Sequence, residues 1–525
     1  MVSGADVTAP TQNTHTPPKM TDAGVKTAAS AQNLATPRKM TVADAVLLSL
    51  QNNLDLQSAY LTRVTDKMTL RVAEDKFVPQ SSLVLSSGVT NTLPLPTAGV
   101  DGSRSQVNSM DGKLMATLNV PTGGAFAFVW DNPVSNTDIG TPYTYGPSWT
   151  LTFTQPLLKN AGIDVGTASV VIAKITEETN VLNLRDSIIG TINTTIKAYR
   201  TYVSALWDLE IAGNALASAK RLIEVNRAMI AAGRMAEMEI IQAESDLANW
   251  ELGVTNAKNT VDQARLAFIQ TMNIDRKTPF EVVLESEIRV RPPAFQDAMT
   301  LALQSRTDYL RSLKQLEISK LNLTVAKRFQ LWDLSFVGMT SQTTSDSTYG
   351  GALRPLTAPG NNNWGVGLNL TIPLRDLTIE QQLVIAKVAL GKQQLSLKKS
   401  EMDIEIAVQN ALRNVEQNYR QMELSRQARV LAEKKLSIEG EKMKAGRTTN
   451  FQLVIFQNDL RTNQVAEARA TINYLNSLTD LDTTLGTTLA TWRVDVSDQR
   501  EGRKSPDQDK NGNGKGKKDM KGDLP

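Results

Sequence analysis

The side chains that most often carry enzyme chemistry are nearly missing from this sequence. Its 525 residues include no Cys and one His, His15, which lies in a Pro- and Thr-rich leader. Thiol nucleophiles, disulfides and cysteine-zinc sites are therefore excluded, and neither histidine general-base catalysis nor a multi-histidine metal site is expected. Carboxylates are plentiful, but no pair of them stands in a pattern typical of a hydrolase. We expect no enzyme activity, no cofactor and no metal.

Composition also limits the classes of partner. The formal net charge is +3, which gives no indication of nucleic-acid binding. No run of about 18 apolar residues predicts a transmembrane helix. The opening MVSGADVTAPTQNTHTPPKM lacks the apolar core of a signal peptide. The chain is therefore either cytosolic or has lost its export signal.

A glycine turn and its surroundings occur twice. AAGRMAEMEIIQAESDL begins at Ala231, and KAGRTTNFQLVIFQNDL begins at Lys444. DAVLLSLQNNLDL, from Asp44, likewise matches DAMTLALQSRTDYL, from Asp297, and WTLTFTQPL matches WGVGLNLTIPL. Both halves thus read helix, strand, loop, strand, very long helix, glycine turn, helix. The chain is a tandem duplication, and the first copy has a longer loop between its paired strands.

The long helices carry heptad spacing. Apolar residues step by 4, 3, 4 and 3 in each half: Ile192, Ile196, Tyr199, Val203 and Leu206, then Val408, Leu412, Val415, Tyr419 and Met422. A continuous helix from Pro156 to Gly233 would be on the order of 110 Å long. Glycine inside a helix costs about 1 kcal/mol. Gly233 and Gly446 are therefore predicted to be left-handed turns between antiparallel helices.

These elements define five segments. Residues 1–39 are predicted to be a disordered leader, and 491–525 a disordered charged tail. The first structural repeat covers 40–275 and holds a helix, strands and a long helical hairpin. The second repeat covers 294–490. A linker, 276–293, with short mixed segments, joins the two.

The strands alternate apolar and polar residues, and aromatic residues lie at or near their ends: Trp130, Tyr143, Tyr145, Trp149, Trp332, Tyr349 and Trp364. This pattern is typical of a lipid-facing β-barrel with an aromatic girdle, although a soluble β-sandwich also fits it. About eight strands are the minimum for a membrane barrel, so four strands per chain require several chains in a closed ring. Whether residues 113–130 add a further hairpin to the barrel stays open.

The ordered set of motifs resembles the outer membrane factor (TolC-like) family over roughly residues 40–490. It is carried by DAVLLSLQNNLDL, LTFTQPLLKNAGI, LNLTIPL, KAGRTTNFQLVIFQNDL and YLNSLTDLDTTLGT. The resemblance implies a mainly α fold with a membrane β-barrel portion: a homotrimer with a 12-strand barrel in outer membrane lipid and a 12-helix periplasmic tunnel. It also implies a passive exit duct for efflux or type I secretion, opened by a periplasmic adaptor and an inner-membrane transporter.

The resemblance also assigns site residues. The two turns become the tip that docks the adaptor, with residues Ala232, Gly233, Arg234, Ala445, Gly446 and Arg447. The periplasmic gate lies just beyond them, at Glu237, Glu239, Gln452 and Ile455. Glu239 stands where the family has an aspartate, whereas Gln452 and Ile455 depart from the acidic pattern, so a doubled acidic ring and cation selectivity are in doubt. Glu239 as a solvated helix residue remains the alternative.

Two other functions compete with the duct. A periplasmic coiled-coil adaptor or scaffold without a membrane barrel explains the heptads and hairpins, but it leaves the repeated Trp-rich strands unexplained. A hydrolase that uses only carboxylates is the other alternative, and it lacks a convincing pair of acids.

Overall fold

A computed structural model of the chain describes residues 38–92, 105–136, 141–233, 236–283, 292–356, 358, 362–445 and 447–494. The first half contains β1 (Arg38–Met40), α1 (Val42–Asn52), α2 (Leu54–Glu74), β2 (Gln80–Thr92), β3 (Ser105–Asn119), β4 (Ala125–Asn136), β5 (Thr144–Tyr145), β6 (Ser148–Pro156), α3 (Ile163–Gly166), α4 (Ala168–Ala231), α5 (Glu239–Met272) and β7 (Phe280–Val282). The second contains α6 (Phe295–Ser305), α7 (Thr307–Phe329), β8 (Asp333–Thr343), α8 (Tyr349–Leu356), β9 (Asn363–Thr371), α9 (Leu377–Lys444), α10 (Asn450–Leu485) and α11 (Thr488–Thr491).

The duplication is visible in the breaks of the helices as well as in their order. Thr41 and Asp44 form a capping box that begins α1. The predicted helix then breaks at Asn53 (φ −62°, ψ 127°), and its counterpart in the second half breaks at Arg306 (φ −68°, ψ 123°). Asn53 caps α2 through its side-chain oxygen, which accepts from the Leu56 amide at 3.0 Å. Both halves therefore begin with the same bent pair of helices.

One antiparallel sheet holds all the long strands, in the order β2–β3–β4–β6–β8–β9, with β5 beside β4. The first half thus contributes four long strands and the second two, which corrects the expectation of four per chain. The extra pair arises because the long segment between the paired strands of the first half folds as the hairpin β3–β4, inserted between β2 and β6. Residues 113–130 lie in this hairpin. Within a single chain they therefore do add a further hairpin to the sheet, which the sequence had left open.

The two longest helices form the centre and one edge of a helical wall. α4 has 64 residues and α9 has 68, so each is about 100 Å long. α4 begins at Ala168 and not directly after Pro156, since α3 and Thr167 intervene. α4 contacts α2, α5, α7 and α10, whereas α9 contacts α6, α7 and α10. The order across the wall is therefore α2 and α5 at one edge, then α4, then α7 and α10, with α9 at the other edge.

The predicted heptads form the cores of this wall. Ile192, Ile196 and Tyr199 are fully buried in a cluster with Phe268 and Phe280. Val408, Val415 and Met422 are buried in a second cluster, with Leu412 and Tyr419 packed against it. The rings of Tyr199 and Phe268 meet edge to face, with centroids 5.5 Å apart. The heptad prediction is confirmed, and the helices pack lengthwise as it requires.

The segment between the repeats returns to the start of the described chain. β7 pairs in parallel with β1, so that Phe280 lies opposite Arg38 and Val282 opposite Met40. The predicted boundary at residue 40 therefore falls within a strand. The greater part of the predicted leader and tail, and residues 284–291 of the predicted linker, lie outside the described residues.

Candidate functional site

One face of the sheet is mostly apolar, and all six long strands contribute to it; its polar members include Asn132, Gln155, Thr340 and Gln342. It carries Leu83, Leu85, Leu114, Leu118, Phe126, Phe128, Trp130, Trp149, Leu151, Phe153, Phe336, Trp364, Val366, Leu368 and Leu370. The rings of Phe126, Phe153 and Phe336 form a row across three strands, with successive centroids 4.5 and 6.3 Å apart. Leu85 and Trp364 are 76% and 78% exposed in the single chain. An extended apolar surface of this kind indicates contact with lipid or with another protein.

The opposite face is mostly polar. It carries Ser82, Ser86, Ser109, Thr117, Ser148, Thr150, Thr152, Thr154, Ser335, Ser341, Asn363, Gly365, Gly367 and Asn369, with Val84, Met115, Val129, Val337 and Met339 as its larger apolar members. A cluster of charged side chains on this face belongs to the inserted hairpin, where the Lys113 ammonium is 3.3 Å from the Asp131 carboxylate and 4.0 Å from that of Asp111. A sheet that is apolar on one face and polar on the other has the pattern of a membrane barrel around a water-filled lumen.

The two edge strands of the sheet, β2 and β9, are oriented so that they can pair with each other across neighbouring copies. β2 pairs with β3 and β9 pairs with β8, and neither has a second partner among the described strands. Because neighbouring strands alternate in direction, β2 and β9 run opposite to each other across the six-strand sheet. β9 of one copy can therefore extend the antiparallel ladder of β2 in the next, and this removes open edges that lipid does not tolerate.

α9 carries a second heptad stripe that the single chain leaves exposed. It consists of Leu377, Val384, Val388, Leu395, Met402, Ile406, Leu424, Leu431 and Ile438. Gln393 marks the side of α9 that faces α7, because its side-chain amide donates to the Ser312 carbonyl at 3.2 Å. Leu395 stands two residues further on, about 200° around the helix. The stripe therefore points away from the other helices of the wall, toward a partner that a single chain does not supply.

The opposite edge of the wall carries a matching stripe. On α2 it consists of Leu54, Leu61, Val64, Met68 and Val72, all exposed. Arg63 of α2 bonds Glu177 of α4 at 2.5 Å, and Arg311 of α7 bonds Asp186 of α4 at 2.5 Å. α2 and the part of α9 that contacts α7 therefore lie at a similar height. Since α2 leads into β2 and β9 leads into α9, sheet and wall share the same two edges, here called the β2–α2 edge and the β9–α9 edge.

The first glycine turn reverses the chain as predicted. Gly233 has φ +66°, the left-handed conformation that favours glycine, and its amide donates to the Ile230 carbonyl at 2.9 Å. Arg227 of α4 lies 3.4 Å from Glu244 of α5, which shows that the two helices run antiparallel beyond the turn. Ala232 is exposed together with Gly233, while Arg234 lies outside the described residues.

The second turn is stabilised by hydrogen bonds from Lys442 and Thr448 to the Glu439 carboxylate, here called the Glu439 clasp. Gly446 lies outside the described residues, but α9 ends at Lys444 and α10 begins at Asn450. The nearly buried Glu439 accepts hydrogen bonds from the Thr448 hydroxyl and from the Lys442 ammonium, the latter at 3.1 Å. These two donors stabilise the carboxylate and lower the pKa of Glu439. The flanking residues Ala445 and Arg447 are exposed.

The four predicted gate residues lie close to the two turns. Glu237 is exposed in the segment that precedes α5. Glu239 is the first residue of α5. Gln452 and Ile455 are half-buried in the first turns of α10. No hydrogen bond or ion pair joins these residues to one another in the described part of the chain, and their gating role stays a prediction.

Comparisons with known proteins agree with this geometry. No protein-family model and no curated protein sequence matches the chain. Among solved structures, the CmeC outer membrane channel of Campylobacter jejuni is 16% identical, with a TM-score of 0.65, over 85% of this chain and 86% of that one. The open MtrE outer membrane channel of Neisseria gonorrhoeae is 17% identical, with a TM-score of 0.63, over 85% and 89%. VceC, an outer membrane protein of Vibrio cholerae, is 14% identical, with a TM-score of 0.62, over 85% and 96%.

The chain has the outer membrane factor fold. The resemblance predicted from the motifs is confirmed at this level, including the long helical hairpins and the sheet portion. None of the helices in the described ranges combines the length and the apolar composition needed to span a membrane.

Several features of this outer membrane factor fold were not predicted from the sequence, among them the two exposed stripes and the contacts of Glu439. The exposed stripe on α9 has heptad spacing and was detectable beside the buried one. The stripe on α2 keeps heptad spacing from Leu54 to Met68, so it was detectable in the same way. The clasp of Glu439 has no sequence signal, because its partner Thr448 lies nine residues away across the turn.

Proposed function

We propose that three copies of this chain close into a ring and form a passive exit duct of the outer membrane that continues as a tunnel in the periplasm. The observation that carries the proposal is the coincidence of the sheet edges with the edges of the helical wall. A single chain leaves the β2–α2 edge and the β9–α9 edge open, and identical copies can satisfy both at once by head-to-tail contact, which closed symmetry allows.

The sheet faces support a position in the membrane. The apolar face would contact lipid, and the polar face with Lys113 and its two carboxylates would line water. The helical wall would extend into the periplasm, over a length of about 100 Å per long helix. The fold shared with CmeC and MtrE, both outer membrane channels, supports the same assignment.

The glycine turns are proposed as the docking tip for a periplasmic adaptor that links the duct to an inner-membrane transporter. They are the ends of the hairpins farthest from the sheet, and they expose apolar side chains beside the turns. Met238 is 81% exposed and Phe451 66% exposed. Helical hairpins of a partner dock on such apolar anchors. The duct itself would perform no chemistry, and the transporter would supply the energy for efflux or secretion.

The test is reconstitution of the purified protein. We expect an SDS-resistant trimer in outer membrane fractions and stepwise single-channel currents in planar lipid bilayers. A soluble monomer without channel activity would contradict the duct and would favour the periplasmic scaffold. Co-purification with the tip intact, and its loss with the tip altered, would then identify the adaptor.

A further inference from the structure

We propose that the wall of the barrel has six strands per copy, and therefore eighteen in a ring of three, because the hairpin β3–β4 is an integral part of the wall. This inference rests on the proposed duct and deepens it by setting the width of the lumen. Three observations on the hairpin carry it.

The hairpin occupies the middle of the sheet. β3 pairs with β2 without a break from Thr117 opposite Gln80 to Ser105 opposite Thr92. On its other side the hairpin continues into β6, since β4 pairs with β6 from Ala125 to Asp131. A ring that left the hairpin out would have to break both ladders and pair β2 directly with β6. β2 and β6 would then be satisfied by each other, but the outer edges of β3 and β4 would lose every ladder hydrogen bond they make in this sheet, and lipid does not tolerate such open edges.

The hairpin also continues both faces of the sheet in phase. Phe128 lies opposite Leu151 on the apolar face, and Val129 lies opposite Thr150 on the polar face. The charged residues of the hairpin are confined to the polar face, where the Lys113 ammonium lies between two carboxylates. A loop on the membrane surface does not need this two-residue alternation of apolar and polar side chains, whereas a barrel strand between lipid and water requires it.

The lower turn of the hairpin is fixed to the junction between sheet and helices. The Thr122 carbonyl accepts from the Gly162 amide at 3.1 Å and from the Gln155 side-chain amide at 3.2 Å. Gly166, at the end of α3, allows close approach, because a β-carbon there would lie 2.1 Å from the Pro121 carbonyl oxygen. The turn thus packs where β6 leads into the helical wall, at the level at which the other wall strands end.

The consequence is a wider lumen. At a fixed strand spacing and tilt, the circumference of a barrel grows in proportion to the number of strands, so eighteen strands enclose about 2.2 times the area of twelve. With strands about 4.8 Å apart and a tilt of about 40°, the backbone diameter rises from about 24 to about 36 Å. Barrels of 16–18 strands leave an aqueous channel. The membrane section of the duct would therefore admit larger solutes than a twelve-strand wall does.

Single-cysteine variants test this inference, because the chain has no Cys of its own. Phe128→Cys and Val129→Cys probe β4, and the paired positions Leu151→Cys and Thr150→Cys on β6 are the matched controls. In intact outer membranes we expect a membrane-impermeant, hydrophilic maleimide to label the residue-129 and residue-150 variants and to spare the residue-128 and residue-151 variants. Electron cryomicroscopy of the trimer should then show eighteen strands.

The outcomes separate this inference from the proposed duct. Alternation on β6 with equal labelling of both β4 variants, or a trimer with twelve strands, would overturn the eighteen-strand wall and leave the duct intact. No alternation on either strand, together with absence from the outer membrane, would contradict the duct itself.

Discussion

The exposed heptad stripe on α9 allows a quantitative test of ring closure. Leu395 is 70% exposed in the single chain, and full burial of a leucine contributes about 1.5–3 kcal/mol. Its burial at a subunit interface would therefore contribute about 1–2 kcal/mol, or about 3–6 kcal/mol over the three interfaces of a trimer. Leu395→Asp removes this contribution and adds the cost of desolvating a carboxylate, which is several kcal/mol for a buried ion.

We expect the Leu395→Asp variant to shift from trimer to monomer. Since 1.4 kcal/mol corresponds to a factor of ten, the loss of apolar burial alone weakens trimer formation at least about 100-fold. Light scattering after size exclusion in mild detergent measures the shift. Gln394→Asp is the matched control, because residue 394 is exposed and lies about 100° from both the stripe and the contact with α7. A Leu395→Asp trimer as stable as the wild type would refute the closure of the wall through this stripe.

Three further predictions concern the turns and the core. Gly233→Leu places a side chain at φ +66°, at a cost of about 1–2 kcal/mol, and should abolish export and adaptor co-purification while the trimer persists. The pKa of Glu439 is lowered, so the ionised carboxylate stabilises the second turn at pH values above the ordinary glutamate pKa. This stabilisation is lost as the pH falls through the lowered pKa. A spin label on Arg447→Cys should therefore become more mobile in acid. Phe268→Ala, at a fully buried position, should destabilise the wall by about 3–5 kcal/mol and lower the thermal midpoint.

Each of these predictions has a control. Gly213 lies inside α4 with open space around it, so Gly213→Leu should leave export unchanged. With Glu439→Gln added, the spin label at position 447 should have the same high mobility at all pH values. If the mobility of the label does not change with pH while Glu439 is present, the proposed role of Glu439 in the second turn is contradicted. Wild-type thermal stability in Phe268→Ala would show that the core cluster does not hold the wall together. Normal export by Gly233→Leu would count against the first turn as the docking tip.

The repeated segments account for how much of the fold was predictable. Heptads at Ile192 and Val408, alternation around Trp149 and the two Ala-Gly-Arg turns are local patterns, and each is dictated by the geometry of a single helix, strand or turn. The break at Asn53 was not predicted, because an extended residue between two helices changes only two dihedral angles and leaves the apolar pattern continuous.

The candidate site was predictable only in part. The turn at Gly233 was located from the repeat, and its left-handed backbone is confirmed. The docking and gating roles of the residues around the turns came from the resemblance alone and remain predictions. Lys113 and its carboxylates were not recognised as a group, since Asp131 becomes its neighbour only through the register of β3 with β4.

By itself, the sequence determined the duplication, the helical hairpins and the alternation of the strands, because these depend on spacing within short segments. Only the tertiary structure decided that the insert of the first half joins the sheet as β3–β4, and that the open edges of sheet and wall coincide. The physical reason is that strand order and edge exposure depend on which distant segments share hydrogen bonds. A local pattern specifies which face of a strand is apolar, but it does not specify the strand's neighbours.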